Sequence, residues 1–170
     1  MNDLETVGNA QISTSVKKYG TGSIYFDGTG DYLKIPDNTT LQLGSDNFTV
    51  EFWVNQVSAT NGTCLYLCGN TSSYAALRID VTSSGISNFL MSSNGTSWDV
   101  ALTQNSYNYF VNGFNHVAVT RSGTSILLFI NGVQRGSYTF SGSLYGGTLH
   151  QIGNNYGGVY INGYIDDLRI

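Results

Sequence analysis

The segment Gly113–Val133, with the sequence GFNHVAVTRSGTSILLFINGV, most constrains what this chain can fold into. It contains five consecutive apolar residues, Ile126 to Ile130, followed directly by Asn131-Gly132. A run this short and rich in β-favouring residues predicts a strand rather than a helix. Asn-Gly between apolar runs is a strong hairpin signal, because both turn residues need positive φ angles. We therefore expect antiparallel strands, with the apolar run inside a sheet rather than at its edge and Gln134–Phe140 running back beside it.

Short strands separated by polar turns continue along the rest of the chain, and FTVEFWVN is the clearest of them. One face of this strand, which we assign to the core, carries Phe48, Val50, Phe52 and Val54. The opposite face carries Thr49, Glu51, Trp53 and Asn55. Strand and turn alternate about every ten residues, which is typical of a β-sandwich. The prediction is an all-β fold of two antiparallel sheets packed face to face, with about 13 strands and no significant helix.

Length and charge exclude several classes of protein. A chain of 170 residues is predicted to form a single domain over residues 1–170, with residues 1–10 interpreted as an N-terminal arm. Seven Lys and Arg against eleven Asp and Glu leave a net charge of −4 and no basic stripe, which argues against nucleic-acid binding. No apolar run is long enough to span a membrane. The N-terminus lacks a signal-peptide pattern, so we expect a chain not exported by that route, a virion component or a domain of a longer protein.

The two cysteines, Cys64 and Cys68, lie four residues apart in CLYLC. In a strand this spacing corresponds to about 13 Å, which exceeds the separation of about 7 Å that a disulfide tolerates between Cα atoms. We therefore predict two small core residues and no disulfide framework.

Four segments together resemble the LamG-like, concanavalin A-like jelly roll, in its laminin G and pentraxin subgroup. They are GSIYFDGTGDYLKIP (Gly22–Pro36), NFTVEFWVN (Asn47–Asn55), Gly113–Val133 and GYIDDLRI (Gly163–Ile170). The family usually has a Trp near the position of Phe114, where this chain has another aromatic residue. The resemblance implies a two-sheet jelly roll. It implies no single activity, because this fold serves lectins, adhesion modules, glycanases and structural spacers.

Catalytic patterns are missing from the sequence. Glycanases of this fold place carboxylates on one strand as Glu-x-Asp-x-x-Glu, and no such pattern occurs here. Glu51 has no carboxylate at an alternate position, and Asp166 and Asp167 are adjacent, so we expect them on opposite faces of a strand. His116 is expected to be a packed or hydrogen-bonded histidine without a catalytic partner. We predict that the chain is not an enzyme.

Calcium is the metal that the sequence favours. Asp27 and Asp31 bracket a tight glycine-rich turn, and Ca²⁺ prefers carboxylate and carbonyl oxygens. Asp166 shares an alternating face with Leu168 and Ile170, so we expect its side chain to point inward, where a carboxylate needs donors or a cation. The resemblance implies a structural calcium near the first and last strands. The alternative is that all three aspartates accept backbone N–H groups in turns.

Glycan is the ligand that the sequence favours, because sugars bind by stacking on aromatic rings beside polar side chains. The predicted contacts, chosen mainly from loops, are Tyr74, Trp98, Tyr107, Asn154, Asn155 and Tyr156. Trp53 with Glu51 and Asn55 is a second candidate set on a strand, and loops are preferred because they carry sites on rigid scaffolds. Tyrosines on sheet faces can also serve packing alone.

These observations predict a non-catalytic recognition or adhesion module of an extracellular or virion surface protein, such as a phage fibre. Its expected partner is a cell-surface glycan or polysaccharide. The alternative is a structural or decoration domain that contacts neighbouring protein subunits and binds no glycan. A glycan-binding module should expose an aromatic residue beside Asn or Asp, whereas a structural domain should bury its aromatic residues against a partner.

Overall fold

The computed structural model describes residues 4–35, 39–58, 63–69, 74–83, 86–108, 113–147, 149–155 and 157–170. Within these ranges the chain forms fourteen strands and one 3-10 turn, Thr39–Leu41. The strands are β1 (Glu5–Val7), β2 (Gln11–Ser13), β3 (Ser23–Asp27), β4 (Tyr32–Ile35), β5 (Phe48–Ser58), β6 (Thr63–Cys68), β7 (Leu77–Val81), β8 (Ile86–Met91), β9 (Val100–Asn108), β10 (Asn115–Ser122), β11 (Ser125–Ile130), β12 (Val133–Thr139), β13 (His150–Ile152) and β14 (Asn162–Arg169).

The strands form two antiparallel sheets. The first sheet has the order β1-β4-β13-β6-β7-β8-β9, and the second has the order β12-β11-β10-β5-β14-β3-β2. Apolar residues from both sheets form one core between them, such as Phe52 from β5, Leu128 from β11 and Ile79 from β7. The two-sheet, all-β prediction is confirmed. The described residues contain no helix with the length and hydropathy needed to cross a membrane.

The hairpin at Asn131-Gly132 forms as predicted. Asn131 has a φ of 51° and Gly132 a φ of 75°, the left-handed values that this turn requires. Strand β11 is paired with β10 on one side and β12 on the other, so it is not an edge strand. The backbone N–H of His116 donates to Asn131 Oδ1 at 2.7 Å, which ties the turn to β10.

The expected N-terminal arm is partly wrong. Residues 5–7 form β1, which pairs with β4 and places Glu5 opposite Lys34. The Glu5 carboxylate accepts from Lys34 Nζ at 2.8 Å. Residues 5–7 are therefore an edge strand of the first sheet.

The expectation that Asp166 points inward is also wrong. Ile165 is buried, and a simple alternation would return Asp166 to the outer face and Asp167 to the core. A β-bulge between Asp166 and Arg169, with a φ of 50° at Asp167, instead adds a residue to β14. Leu168 packs against the core in place of Asp167. Asp166 lies beside Trp53 just before the bulge, and the extra residue places Arg169 beside Glu51.

A buried arginine joins β10 to two loops. Arg121 Nε donates to the carbonyl of Gly123 at 3.0 Å, and Nη1 donates to the carbonyl of Gly44 at 2.9 Å. Nη2 donates to the carbonyls of Gly142 at 2.8 Å and Phe140 at 3.3 Å. Four carbonyls thus satisfy the guanidinium group at the end of the sandwich.

A second buried polar group lies inside the first sheet. His150 is fully buried, with its Nδ1 2.7 Å from the Tyr66 hydroxyl and its Nε2 4.0 Å from Cys68 Sγ. Burial lowers the pKa of His150 to about 4, while a hydrogen bond with the backbone of Leu41 partly opposes this. Burial raises the pKa of Cys68 to about 12. Cys68 is a free, buried thiol as predicted, and the side chain of Cys64 lies outside the described residues.

Replacement of Arg121 should destabilise the fold strongly. Arg121→Met removes a buried guanidinium group and leaves four part-buried carbonyl groups without their donor, and we expect a loss of about 3 kcal/mol in the free energy of unfolding. Urea denaturation measures this loss. The matched control is Arg135→Met on the exposed edge strand β12, which should cost less than about 0.5 kcal/mol. Equal effects of the two substitutions would contradict the role given to Arg121.

His150 should make stability fall in mild acid. A histidine in the unfolded chain has a pKa near 6.5, so between pH 6.5 and about 4 only the unfolded state gains the proton. The contribution of neutral His150 to the free energy of unfolding is therefore complete above pH 6.5. It falls by about 3 kcal/mol as the pH drops to 4. Urea denaturation at pH 7 and pH 4.5 tests this. His150→Gln should show a smaller loss between these pH values, and an unchanged loss would refute the assignment.

Candidate functional site

The predicted loop contacts that the structure describes are not gathered into one site. Tyr74 and Trp98 meet edge to face, with ring centroids 5.2 Å apart, next to the start of β7 and β9. Asn154 follows β13, whose register pairs His150 with Cys68 at the end of β6. The antiparallel pairing therefore places Asn154 near the start of β6, whereas Tyr74 follows its end.

Of the other predicted contacts, only the side chain of Asn155 is described. Asn155 Oδ1 accepts from the backbone N–H groups of Gly157 at 2.8 Å and Val159 at 3.2 Å, so this side chain shapes its own loop. Tyr107 lies in β9 rather than in a loop, and its side chain is outside the described residues. Tyr156 also lies outside them.

Of the three predicted calcium ligands, Asp27 and Asp31 lie in one turn and Asp166 lies apart from them. Asp31 is only 1% exposed and accepts from the backbone N–H groups of Asn9 at 2.5 Å and Asp27 at 3.0 Å. Asp27 accepts from the backbone N–H of Thr29 at 2.7 Å. The register of β3 with β14 places Asp166 at the opposite end of β3 from Asp27.

These aspartates do not fit a shared calcium site. Each accepts backbone N–H groups, which is the alternative considered from the sequence. Over the described ranges, no group of three or more His, Cys, Asp and Glu residues is placed to hold a metal ion. Calcium binding by this chain stays a prediction, without a ligand set from these residues.

A pocket of about 620 Å³ opens on the outer face of the second sheet, and we call it the Trp53 pocket. Its lining residues are Tyr19, Gly20, Thr21, Gly22, Glu51, Trp53, His116, Asp166, Asp167 and Arg169. They come from β5, β10, β14 and the loop between β2 and β3. The pocket thus gathers residues from four distant parts of the chain.

Strand register brings these side chains together. In β5 the alternation that sends Phe52 to the core turns Glu51 and Trp53 outward. His116 of β10 lies opposite Trp53 on one side. The bulged end of β14 lies on the other side, with Arg169 opposite Glu51.

The indole of Trp53 is held by three neighbours. The ring centroid of His116 lies 5.0 Å away, and that of Tyr19 lies 5.6 Å away in an edge-to-face contact. Lys18 Nζ lies 4.3 Å from the indole centroid, within the range of a cation–π contact. The ring remains partly exposed and is therefore both oriented and accessible.

Charged groups surround this aromatic centre. The Asp167 carboxylate accepts from Arg169 through two contacts, at 2.6 Å and 3.1 Å. Glu51 lies 3.4 Å from Arg169 Nη1 and 3.3 Å from His116 Nε2. The Asp167 carboxylate, and then Glu51, raise the pKa of Arg169. The pocket therefore presents fixed hydrogen-bond donors and acceptors beside an aromatic ring.

Asp166 anchors the loop that forms one wall of the pocket. Its Oδ2 accepts from the backbone N–H groups of Lys18 at 2.8 Å and Tyr19 at 3.0 Å. These bonds hold Tyr19 over Trp53. Because of the bulge, Asp166 and Asp167 line the same pocket, and the expectation that they face opposite sides is wrong.

Sequence reasoning identified Trp53 and Glu51 as a second candidate set and missed Tyr19, His116 and Arg169. His116 contacts Glu51 and packs on Trp53, which agrees with the expectation of a packed or hydrogen-bonded histidine. The hairpin signal predicts that β11 pairs with the strands next to it in the chain, β10 and β12. No local pattern in the sequence predicts that β10 and β14 pair with β5. The preference for loops over strands was therefore not supported by the geometry.

Comparison with known families and structures adds to this geometry. The family model described as the concanavalin A-like lectin/glucanases superfamily, Laminin_G_3, matches residues 27–170. No curated protein sequence matches the chain. The family match agrees with the resemblance drawn from the four sequence segments.

Several solved structures share the fold. Domain 4 of AbnA, a GH43 extracellular arabinanase from Geobacillus stearothermophilus in complex with arabinotriose, is similar with a TM-score of 0.70 and 16% identity, over 95% of this chain and 74% of that one. The Ruminococcus gnavus IT-sialidase CBM40 bound to α2,3 sialyllactose has a TM-score of 0.63 and 15% identity, over 93% of this chain and 95% of that one. The botulinum neurotoxin type G receptor binding domain has a TM-score of 0.66 and 11% identity, and the match covers 98% of this chain and 41% of that one.

Removal of the Asp166 carboxylate should loosen the loop wall of the pocket. Asp166→Ala deletes the acceptor of two backbone N–H groups, so amide hydrogen exchange at Lys18 and Tyr19 should accelerate about tenfold or more. Exchange followed by NMR gives the rate at each residue. Asp27→Ala, which removes an acceptor at the far end of β3, is the control and should leave these two amides unchanged.

Proposed function

The chain belongs to the concanavalin A-like lectin/glucanases superfamily, and from that premise we propose that it is a non-catalytic carbohydrate-recognition module. We place its glycan site in the Trp53 pocket. The observation that carries the proposal is a partly exposed indole held between Tyr19 and His116, with Arg169 and Glu51 beside it. A sugar ring can stack its apolar C–H face on the indole while its hydroxyl groups meet the charged side chains.

The polar groups of the pocket suit hydroxyl groups, which both donate and accept hydrogen bonds. Arg169 supplies N–H donors, and the carboxylates of Glu51 and Asp167 supply acceptors. The ion pairs among these residues hold them in place before a ligand arrives. A site that is already ordered loses less conformational entropy when it binds.

The similar structures support the same ligand class. One is described as bound to sialyllactose and another as a complex with arabinotriose. At 15% and 16% identity these likenesses concern the fold, so they support glycan binding as a class and leave the sugar open.

The contacts of the carboxylates support binding without cleavage. Glu51 and Asp167 both contact Arg169, and Glu51 also contacts His116. Glycoside hydrolysis needs one carboxylic acid that can protonate the leaving oxygen and a second carboxylate across the sugar. Carboxylates already engaged with a guanidinium group serve better as fixed hydrogen-bond acceptors.

The proposal extends to the place where such a module works. A cell-surface glycan or polysaccharide is the partner, and the module is displayed on an extracellular or virion surface, as in a phage fibre. The low content of charged residues, 11%, and the many polar uncharged residues support this setting. Structural calcium remains part of the proposal through the family resemblance alone.

Replacement of Trp53 should abolish most glycan binding. Trp53→Ala removes the stacking surface, and we expect at least about tenfold weaker binding on a glycan array for every sugar that the unmodified chain binds. Arg169→Ala, at an exposed position, should weaken the same signals without lowering the melting temperature. Arrays run with calcium and with EDTA also test whether the metal contributes.

The matched control is Trp98→Ala, which removes the same residue type from the predicted loop set. Its array signals should equal those of the unmodified chain. Loss of binding in Trp98→Ala but not in Trp53→Ala would move the site to the Tyr74–Trp98 pair. No binding to any glycan, together with self-association that Trp53→Ala abolishes, would favour the structural or decoration domain instead.

A further inference from the structure

An apolar groove adjoins the Trp53 pocket. It has a volume of about 500 Å³, and its lining includes Ile12, Ile24, Ile35, Leu41, Leu168 and Ile170. Thr21, Gly22, Asp166 and Asp167 line both the groove and the Trp53 pocket. The two cavities are therefore separated only by the loop at residues 21–22 and the bulge at residues 166–167.

The mouth of the groove is unusually apolar for a surface. Ile12 is 71% exposed, Leu4 is 53% exposed and Ile170 is 40% exposed, and all three line it. These are half of the six large apolar side chains found to be exposed in the described part of the chain. Exposed apolar side chains gathered around a cavity are typical of a binding site.

The partition between the cavities is built tightly. A Cβ atom at Gly22 would lie 2.8 Å from Ile12 Cγ2 and 2.9 Å from the carbonyl oxygen of Ser13, so only glycine fits there without a shift. Asp166 anchors the same loop through its bonds to Lys18 and Tyr19. A charged, aromatic compartment and an apolar compartment are thus held side by side.

We propose that the ligand is a glycoside with an apolar aglycone, whose sugar lies in the Trp53 pocket and whose alkyl or acyl chain lies in the apolar groove. This inference rests on the proposed function. A free glycan would leave the apolar groove in contact with water, and a simple lipid would make no use of the aromatic and charged groups of the Trp53 pocket. An amphiphilic ligand satisfies both compartments, because burial of its chain removes apolar surface from water.

Pairs of glycosides that differ only in the aglycone test the proposal. Methyl and n-octyl glycosides of glucose, galactose, mannose and N-acetylglucosamine are titrated calorimetrically, below the concentration at which the octyl compounds form micelles. For at least one sugar the octyl glycoside should bind about tenfold or more tightly than the methyl glycoside. Ile12→Ser should remove this gain and leave methyl glycoside binding unchanged. Val57→Ser, an exposed residue that lines neither cavity, is the control and should retain the gain.

The outcomes separate this inference from the proposed function. If the methyl glycoside binds and Trp53→Ala weakens it, but the octyl chain adds no affinity, the inference is overturned and the proposed function stands. If no glycoside shows binding that depends on Trp53, the proposed function fails. If Ile12→Ser abolishes octyl glycoside binding while Trp53→Ala does not weaken it, the groove takes the chain alone, and the linked two-compartment ligand is overturned.

Discussion

The pairing of β5 with β10 on one side and β14 on the other is the constraint on which both the core and the candidate site depend. In this register Phe52 and Val54 enter the core, while Glu51 and Trp53 face outward between His116 and Arg169. A slip of one residue would exchange the two faces of β5 and place charged and apolar side chains on the wrong sides. Burial of the apolar face therefore also sets the arrangement of the pocket.

The bulge in β14 modifies this regular pairing at one point. It uses the left-handed conformation of Asp167 to bring Asp167 and Arg169 to the side of the sheet on which Asp166 already lies, while Leu168 packs inward. Bulges commonly redirect side chains beside functional sites. Here the bulge supplies the ion pair of Asp167 with Arg169, while Asp166, just before the bulge, holds the Lys18–Tyr19 loop.

The buried polar groups Arg121 and His150 belong to the scaffold rather than to the candidate site. Arg121 joins loops to β10 through backbone carbonyls, and His150 lies neutral beside Tyr66 inside the core. Neither lines the Trp53 pocket or the apolar groove. Their hydrogen bonds are made within the protein, whereas Trp53, Glu51 and Arg169 remain partly exposed and available to a ligand. This division separates residues that maintain the scaffold from residues that can recognise something outside it.

Local patterns in the sequence determined the all-β architecture, the two faces of β5 and the Asn131-Gly132 turn, because side-chain alternation and turn conformation depend on neighbouring residues. Alternation counted back from Leu168 placed Asp166 inward, because the sequence contains no sign of the bulge between them. Sequence reasoning also preferred loop residues such as Tyr74 and Asn154, which the strand register separates. Only the tertiary structure brought Tyr19, Trp53, His116 and Arg169 into one pocket beside an apolar groove. Pairing between strands that are distant in the chain is decided by burial of the whole core, and no single segment encodes it.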